Sequence, residues 1–389
     1  MSSPAQRAKK LFIRTFGTNA DDCYQAPGRI NLMGEHTDYN EGFVLPAAIN
    51  FHVVIAAKKR DDGLFRAVTD IFPDEFIEWQ FGLENEVNDD SDTLSHWSQY
   101  LKGFTATLAQ SGLSISGMDV AIVSDVPVEQ GFSSSSALEI AFGTAINDLH
   151  QLHLSPLAVA QLAQRGEFHH MKLTCGIKDH MISALAEEEQ AVLIDCLDLD
   201  YDSISLPKEL SLIIVHSGKY AEDIQHKYQT RKSECLEVAE HFGLDSLRHV
   251  ELFQLEREKS NLDESLYKRA RHVISENRRT QQAARALEMN NTRRLSQLMA
   301  DSHRSLKDDF EISLPEIDLL VDIINNEIGD RGGVRLTGSG FGGSVVALVE
   351  HELTDDVVLA VEQEYYKKTG IEAQVYLCSA TRGACRIDD

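Results

Sequence analysis

The sequence has little of several residue types, and each scarcity excludes a class of protein. Cysteine occurs six times in 389 residues, with no CxxC pair and no Cys–His metal spacing. Sparse cysteines in a chain of this length are typical of reduced thiols in a cytosolic protein. The longest apolar runs, such as Val345–Val349, are far shorter than the roughly 20 residues of a membrane-spanning helix. The first residues, MSSPAQRAKKLF, lack the apolar core of a secretory signal peptide. We therefore expect a cytoplasmic protein.

Basic residues are scarce relative to acidic ones. Lysine and arginine together number 37 against 62 acidic residues, which leaves a formal net charge of -25. A field of this sign repels nucleic-acid phosphates and anionic lipid surfaces, so we expect neither a nucleic-acid partner nor a membrane partner. An anionic ligand would need a site built locally. The rest of the composition, with 42% hydrophobic and 25% charged residues, is typical of a globular protein.

The length of the chain favours about two domains, at roughly 100–200 residues each. Strand patterns occur early and late in the chain, whereas 221–299 is mostly helical and highly charged. This order favours an α+β protein over a regular βαβ repeat. The domain boundary is predicted near Pro207, which separates 1–207 from 208–389.

Hydrophobic periodicity predicts the individual elements. The predicted helices are 4–16, 97–111, 137–149, 157–171, 179–186 and 356–368, and the predicted strands are 51–58, 65–70, 75–81, 118–124, 190–195, 210–216, 345–349 and 373–377. No strand is predicted in 25–50, a Gly- and polar-rich stretch that contains Pro27 and Pro46. The acidic run 84–92 is predicted to be a mobile loop.

The first segment that could carry chemistry is APGRINLMGEHTDYN at 26–40. It places Arg29, Glu35, His36 and Asp38 close together beside two glycines. Proline and glycine favour a turn, so these polar side chains can converge on a small ligand. Carboxylates accept hydrogen bonds from hydroxyls, and arginine or imidazole donates them, which suits a polyol. The alternative is a solvated polar loop.

The second segment, PVEQGFSSSSA at 127–137, lies between a predicted strand and a predicted helix. A glycine and four serines at a helix N-terminus are the ingredients of an anion-binding nest, with hydroxyls as added donors or Mg²⁺ ligands. The lysine of a Walker A loop is absent, which excludes a P-loop ATPase. The alternative is a serine-capped helix that follows a turn.

Two further segments carry weaker signals. Glu167 precedes Asp179 by twelve residues, and Asp179 lies in CGIKDH at a predicted helix start, where an aspartate is more often a cap than a catalyst. The run RLTGSGFGG at 335–343 allows two backbones to approach closely, or bends the end of a strand. It lacks the strand-before, helix-after context of a dinucleotide fingerprint.

Together and in this order, these segments resemble the galactokinases of the GHMP small-molecule kinase superfamily. GRINLMGEHTDYNEGFVLP is similar to the galactokinase signature almost residue for residue, while SSSSALE and RLTGSGFGGSVVAL resemble the phosphate motif and the third motif of the superfamily. The resemblance runs from about residue 8 to about residue 380. It implies a two-lobed α+β fold of mixed sheets and helices, with an N-terminal sugar- and nucleotide-binding lobe, a C-terminal lobe and the active site in the inter-lobe cleft.

The resemblance implies an ATP- and Mg²⁺-dependent galactokinase that phosphorylates the anomeric hydroxyl of galactose to give galactose 1-phosphate. Asp179 would be the base at that hydroxyl, and Arg29 would lie beside the reacting phosphoryl group. The residues implied for sugar binding are Glu35, His36, Asp38, Gly176 and Tyr228. The residues implied for nucleotide binding are Gly131, Ser133, Ser134, Ser135 and Trp97. Glu167 and one serine, here assigned as Ser135, would hold Mg²⁺.

Several residues depart from the usual family pattern. They are Glu129 for Gly, Phe132 for Leu, Ser136 for Ala, Lys172 and Ser339 for Gly, and Lys178 and His180 where Met and Gln flank the aspartate. These departures bear on nucleotide affinity and rate more than on sugar recognition. A nearby Lys178 would favour the ionised form of Asp179. Whether that carboxylate takes the proton early or only orients the hydroxyl is left open.

Two alternatives remain at this point. A non-catalytic regulator that responds to sugar and ATP could share the fold, but such relatives usually lack the intact serine motif and aspartate that are present here. A kinase for another sugar, such as N-acetylgalactosamine, would need extra room near Tyr228. The expected partner is galactose alone, and the chain is expected to be a monomer.

Overall fold

A computed structural model describes residues 3–82, 96–127, 130–172 and 176–388. These residues form a mixed α+β structure with two sheets, as the order of strand and helix patterns predicts. Within the described residues, no helix is both long enough and apolar enough to cross a bilayer.

The chain divides into two compact units that are discontinuous in sequence. Unit 1 contains 1–29, 48–186 and 381–389, and unit 2 contains 30–47 and 187–380. This division differs from a single cut near Pro207, which lies inside unit 2. The reason is strand pairing, because the strand Gln190–Asp195 pairs with Phe43 and Val44 of unit 2.

Unit 1 combines a mixed parallel and antiparallel sheet with helices. Its helices are α1 (Pro4–Phe16), α2 (His96–Gln110), α3 (Ser134–Leu149), α4 (Pro156–His170) and α5 (Lys178–Leu185). Its strands are β1 (Asp22–Met33) and β2 (Phe43–Lys59), which both carry residues of the two units, then β3 (Leu64–Thr69), β4 (Phe76–Gln80), β5 (Met118–Ser124) and β12 (Cys385–Arg386). The order across the sheet is β12-β1-β2-β5-β3-β4. The sheet therefore includes a strand from the far C-terminus.

Local sequence explains the first helix and the pairing of the sheet. Ser3 caps α1 through a capping box with Gln6, Pro4 occupies its first turn, and Gly17 ends it in a left-handed conformation. Strands β3 and β5 are parallel, whereas β2 and β5 are antiparallel. The apolar face of α1 packs through Phe12 against the side of the sheet that carries Val54.

Unit 2 contains a four-stranded sheet with helices around a large apolar core. Its sheet order is β11-β8-β10-β9, with β8 at Leu210–Tyr220, β9 at Gly332–Thr337, β10 at Gly342–Glu350 and β11 at Gln374–Cys378. Strands β6 (Gln190–Asp195) and β7 (Tyr201–Ser205) pair with each other. Its helices are α6 (Ile224–His241), α7 (Leu252–Glu258), α8 (Glu264–Glu288), α9 (Thr292–Asp308), α10 (Pro315–Ile328) and α11 (Thr354–Thr369).

The Gly-rich run 335–343 lies between β9 and β10, and it brings two backbones close together as its composition predicts. A Cβ at Gly342 would overlap the carbonyl of Lys219. The residue also has a φ of 115°, a conformation that L side chains rarely adopt. Glycine is therefore required where β10 leaves the turn beside β8.

Most predicted helices and strands are present, with ends shifted by a few residues. The interpretation of 25–50 as a stretch without strands is wrong, because β1 and most of the first half of β2 lie there. Both strands are buried on both faces over much of their length, so the sequence has no clear polar–apolar alternation. Strands β7, β9 and β12 and helix α10 also match no predicted element. The acidic run 84–92 lies outside the described residues.

Candidate active site

Two predicted catalytic side chains, Arg29 and Asp179, form a bidentate ion pair in unit 1. Arg29 Nε donates to Asp179 Oδ1 at 2.7 Å, and Nη2 donates to Oδ2 at 2.6 Å. Ser133 Oγ donates to the same Oδ2 at 2.7 Å. The side chains of Arg29 and Asp179 are 11% and 22% exposed, so the pair is largely shielded but still reachable from solvent. This arrangement fixes the carboxylate in one orientation.

The ion pair keeps Asp179 ionised. Burial by itself would raise the pKa of the Asp179 carboxyl group. The charges of Arg29 and Lys178, together with hydrogen bonds from Arg29 and Ser133, outweigh burial and hold this pKa well below its usual range. Asp179 lies in the first turn of α5, where the helix dipole also favours a negative charge. The carboxylate is therefore an acceptor at every physiological pH.

A close contact between β1 and the turn before α3 positions Arg29 and Ser133. The Phe132 carbonyl accepts a hydrogen bond from Arg29 N at 2.9 Å, and the Gly131 carbonyl accepts one from Arg29 Nη1 at 2.6 Å. A Cβ at Gly28 would lie 2.7 Å from the Phe132 carbonyl oxygen, so only glycine allows this approach. Ser133 has a φ of 56°, which turns the chain sharply into α3. The sequence-predicted nest is thus a strand-to-helix turn held against β1.

The other residues predicted for the nucleotide are spread along helix starts in unit 1. Ser134 and Ser135 lie in the first turn of α3, where backbone N–H groups have no partner within the helix. Trp97 is nearly buried in α2, and its indole Nε1 donates to Glu75 Oε2 at 2.6 Å. Phe132, one of the departures, is buried and stacks on Phe51. Glu129, another departure, lies outside the described residues.

Glu167, the predicted metal ligand, lies in a buried cluster with two groups that the sequence motifs did not predict. These are Glu139 of α3 and His180 of α5, and the ligand atoms of the three residues lie within 4.8 Å of one another. Helix α4 reaches this position through contact between Gly166 and Gly103 of α2, where a Cβ on Gly166 would lie 2.9 Å from Gly103. A signal was available, because Glu139 follows Ser135 by four residues and so shares its face of the helix.

The two carboxylates of this cluster repel each other. Burial and the adjacent charge of Glu167 raise the pKa of Glu139 well above its usual value. Burial lowers the pKa of His180, in spite of the nearby carboxylate Glu167, which raises it. The cluster has the donor set and the charge that fit a divalent cation.

In unit 2, two predicted sugar-binding residues lie in an aromatic group. The rings of His36 and Tyr228 have centroids 5.4 Å apart, and Phe310 lies 4.7 Å from His36. His36 Nε2 donates to the carbonyl of Ser339 at 3.1 Å, and His36 Nδ1 lies within hydrogen-bond distance of the Tyr39 hydroxyl at 2.9 Å. These two contacts hold the imidazole ring in one orientation.

Glu35 is buried in unit 2 and bonded to four protein donors. Its Oε2 accepts from Arg335 Nη2 at 2.8 Å and from Asn31 Nδ2 at 2.7 Å. Its Oε1 accepts from Thr337 Oγ1 at 3.1 Å and from Gly338 N at 2.7 Å. Glu35 thus joins the polar segment 26–40 to the Gly-rich run 335–343, a link between two sequence motifs that no local pattern predicts.

The two remaining predicted sugar residues lie at the ends of short elements. Asp38 begins a 3-10 turn, Asp38–Asn40, and is half-buried. Gly176 lies just before Ile177, the residue that caps α5. Asp38 belongs to unit 2 and Gly176 to unit 1.

Comparison with known families adds an independent observation. Residues 10–59 match the galactokinase galactose-binding signature. Residues 99–187 match the N-terminal domain of GHMP kinases, and residues 283–368 match their C-terminal domain. The three matches follow the chain in order, and their ranges contain all four of the segments that the sequence analysis singled out.

Comparison with solved structures also finds similarity to a galactokinase, over nearly the whole chain. The crystal structure of Lactococcus lactis galactokinase complexed with galactose is 31% identical, covers 98% of this chain and 99% of that one, and has a TM-score of 0.90. The Methanococcus jannaschii mevalonate kinase is 18% identical over 92% of this chain and 98% of that one, with a TM-score of 0.63. Streptococcus pneumoniae phosphomevalonate kinase, in complex with phosphomevalonate and AMPPNP, is 14% identical over 91% and 99%, with a TM-score of 0.63. The last two show only a shared fold.

Proposed function

Because the chain belongs to the galactokinase family of GHMP kinases, we propose that it transfers the γ-phosphoryl group of ATP to the anomeric hydroxyl of galactose. The products are galactose 1-phosphate and ADP. The observation that carries this proposal is the Asp179 carboxylate, held by Arg29 and Ser133 beside the N-terminus of α3. That arrangement supplies an acceptor for a hydroxyl proton next to a group of donors for phosphate oxygens.

Asp179 accepts a hydrogen bond from the reacting hydroxyl and orients its oxygen toward phosphorus. Phosphoryl transfer depends mainly on alignment and charge neutralisation, since its transition state is loose. A carboxylate with a depressed pKa is a poor base toward a neutral hydroxyl. We therefore infer that Asp179 accepts the hydroxyl proton late, after the O–P bond has begun to form and the hydroxyl has become more acidic.

The turn 131–133 and the start of α3 bind the phosphates of ATP. The first N–H groups of a helix and its dipole favour negative charge, and the hydroxyls of Ser134 and Ser135 add donors. Arg29 supplies a fixed positive charge where charge shifts between the leaving and transferring groups. Trp97 is assigned to the nucleotide by family resemblance, with its indole N–H already bonded to Glu75.

The sugar hydroxyls are recognised by polar side chains whose own positions are fixed. Asp38 accepts hydrogen bonds from sugar hydroxyls. The rings of His36 and Tyr228 pack against each other in unit 2 and form an apolar surface for the sugar. Glu35 already accepts four hydrogen bonds from protein groups, so its contribution includes fixing the turn that carries His36 and Asp38. Gly176 is assigned to the sugar by family resemblance. A site of this kind rejects an epimer because a misplaced hydroxyl leaves a buried group unpaired.

Glu167 and Ser135 would hold Mg²⁺. The fit rests on the buried carboxylate cluster. Among the residues that the structure describes, Glu139 Oε1 has no hydrogen-bond partner, and Glu139 lies one helical turn beyond Ser135. When bound, the ion supplies charge neutralisation for the phosphates. In this chain the task of Glu167 is to present one oxygen from a rigid helix.

The test is ATP consumption with a panel of galactose, glucose, N-acetylgalactosamine and talose, each with and without Mg²⁺. We expect turnover with galactose and Mg²⁺, and little with the other sugars. Substantial turnover with N-acetylgalactosamine would favour a different sugar kinase. No turnover with any sugar, together with galactose binding by calorimetry, would favour a regulator.

Asp179→Asn tests the assigned base. Removal of the carboxylate charge should lower kcat by about 10²–10⁴-fold, while galactose still binds with similar affinity. The measurement is steady-state ATP consumption together with calorimetric titration of galactose. Turnover close to wild type would remove Asp179 from the mechanism.

A further inference from the structure

The cluster of Glu139, Glu167 and His180 contains a nitrogen donor, which the Mg²⁺ assignment does not use. We propose that these three residues bind a divalent transition-metal ion of the Mn²⁺, Co²⁺ or Zn²⁺ class in the absence of nucleotide. The inference rests on the metal role proposed above for Glu167. It adds to that role two ligands, Glu139 and His180, and a preference among cations.

The distances within the cluster suit a single ion. His180 Nε2 lies 3.0 Å from Glu139 Oε2 and 3.9 Å from Glu167 Oε1. Ligands that each lie about 2.0–2.2 Å from a common ion are themselves roughly 3–4 Å apart. Only small side-chain movements are then needed for one oxygen from each glutamate and the imidazole nitrogen to share a cation.

The charge of the cluster calls for a cation or a proton. Glu139 and His180 are fully buried and Glu167 is nearly so. Among the residues that the structure describes, neither carboxylate has an arginine or lysine partner, and Glu139 Oε1 has no hydrogen-bond donor. Buried negative charge without a partner is costly, so the site gains free energy from a bound cation. A proton shared by the two carboxylates is the competing arrangement.

The imidazole decides which cation is favoured. Mg²⁺ prefers oxygen ligands in near-ideal octahedral geometry and keeps its waters. Imidazole nitrogen suits divalent ions of the first transition row, whose affinity for a mixed nitrogen and oxygen site is lowest for Mn²⁺ and higher for Co²⁺ and Zn²⁺. His180 Nδ1 has no acceptor among the described residues. We therefore expect affinity about 10–100-fold below that of a histidine oriented by a second hydrogen bond.

The cluster is supported by three helices and lies next to the catalytic carboxylate. Glu139, Glu167 and His180 come from α3, α4 and α5, and rigid helices hold ligands in place better than loops do. His180 follows Asp179 directly, so the two side chains leave α5 about 100° apart. One faces Arg29 and the other faces the two glutamates. An ion at the cluster would thus stiffen the first turn of α5.

The experiment uses the full chain after treatment with a chelator, without nucleotide or sugar. Mn²⁺ is titrated while its free electron paramagnetic resonance signal is followed, and Co²⁺ is titrated while its visible absorption is followed. We expect about one bound ion per chain, new Co²⁺ bands typical of a nitrogen ligand, and no displacement by excess Mg²⁺. His180→Gln should weaken Mn²⁺ and Co²⁺ binding by about 10-fold or more and remove the nitrogen signature.

Matched variants keep the test decisive. His150→Gln removes a half-buried histidine of unit 1 that bonds to Ser116 and Ile146 rather than to a carboxylate, and it should leave binding unchanged. Glu139→Gln provides a second disruption if His180→Gln does not fold. No stoichiometric uptake by the wild type, or equal uptake by His180→Gln, would overturn the inference in favour of the shared proton.

Activity measured on the same preparations separates this inference from the proposed function. Galactose-dependent ATP consumption with Mg²⁺ but no uptake of Mn²⁺ or Co²⁺ would contradict only the proposed transition-metal site. Uptake of one ion without any galactose phosphorylation would contradict only the proposed galactokinase activity.

Discussion

At the scale of single residues, the Arg29–Asp179 pair controls the protonation state of the proposed base. Its two hydrogen bonds are short and charge-assisted. Burial would raise the pKa of Asp179, so the low pKa exists only while Arg29 and the other donors remain in place. The carboxylate should therefore stay ionised throughout the pH range in which the protein is folded, and it should add no acidic limb to the rate profile.

Arg29→Gln is expected to create such a limb. Without the guanidinium, burial dominates, the pKa of Asp179 rises, and residual activity falls as the pH is lowered. The variant should also lose about 10²–10³-fold in kcat at neutral pH, because a charge-stabilising donor is gone. The measurement is kcat/KM for galactose against pH.

Arg7→Gln provides the control for that experiment. Arg7 forms an ion pair with Asp70 in the same unit, and its side chain is 39% exposed. Its loss should leave the shape of the pH profile unchanged. A profile for Arg29→Gln that matches the wild type down to the pH of unfolding would contradict the proposed control of Asp179.

At the scale of elements, the strand β1 and the turn before α3 are in direct contact, because Gly28 has no side chain to separate them. The Phe132 carbonyl accepts from Arg29 N, and a side chain at position 28 would meet that carbonyl. The same turn carries Ser133, which donates to Asp179. A shift of the turn would therefore move a hydrogen-bond donor of the Asp179 carboxylate, the proposed base.

Gly28→Ala should displace this turn. The new Cβ would lie 2.7 Å from the Phe132 carbonyl oxygen and 3.1 Å from Val126 Cγ1, and the backbone must move to make room. We expect destabilisation of about 1–3 kcal/mol and a fall in kcat of about 10²-fold, with a smaller change in KM for galactose. Urea denaturation and steady-state kinetics measure the two effects. An unchanged kcat would show that the turn does not position the site.

A second link between elements is the buried ion pair of Arg335 on β9 with Glu35. Arg335 has no exposed side-chain surface, and it also donates to the Leu32 carbonyl at 3.0 Å. Arg335→Met would leave Glu35 charged and buried, which should cost roughly 3–5 kcal/mol of unfolding free energy. The double variant with Glu35→Gln should lose less than the sum of the two single changes.

The control for this pair is Arg331→Met. Arg331 lies four residues before Arg335 in the chain. Arg331 pairs with Glu350 and Glu352 near the surface, and exposed pairs contribute about 0–1 kcal/mol. Urea denaturation compares the three single variants and the double variant with the wild type. If Arg335→Met cost no more than Arg331→Met, the pair would not be the link between the two motifs.

At the scale of the whole molecule, the end of the chain completes the unit that contains its beginning. Residues 381–389 belong to unit 1, where β12 pairs with β1 through Tyr24 and Arg386. The backbone N–H groups of Gly383 and Ala384 donate to the carbonyls of Ala186 and Ser183, at the end of α5. The helix that carries Asp179 at its start is therefore secured at its other end by the far C-terminus.

Deletion of 381–389 should weaken this unit. At about 1 kcal/mol for each lost hydrogen bond, the melting temperature should fall by roughly 5–10 °C, and kcat should fall because α5 is less firmly held. Deletion of 388–389 alone is the control and should change neither quantity much. Equal melting temperatures for the two deletions would contradict the role assigned to this segment.

Much of the local structure was determined by the sequence alone. Apolar periodicity located most helices, because this signal lies within a few consecutive residues. The motifs at 26–40, 131–136 and 335–343 were recognisable for the same reason, and their order indicated the family. The first half of β2 and most of β1 could not be predicted in this way, because burial on both faces removes the alternation on which strand prediction depends.

Only the tertiary structure decided which distant residues touch. Arg29 meets Asp179, Glu35 meets Arg335, and Glu139 and Glu167 meet His180 across long stretches of chain. The same holds for the C-terminal strand that joins unit 1 and for 30–47, which belong to unit 2. The physical reason is that such contacts follow from how whole elements pack and pair, and the pattern of any single segment carries no information about its partner.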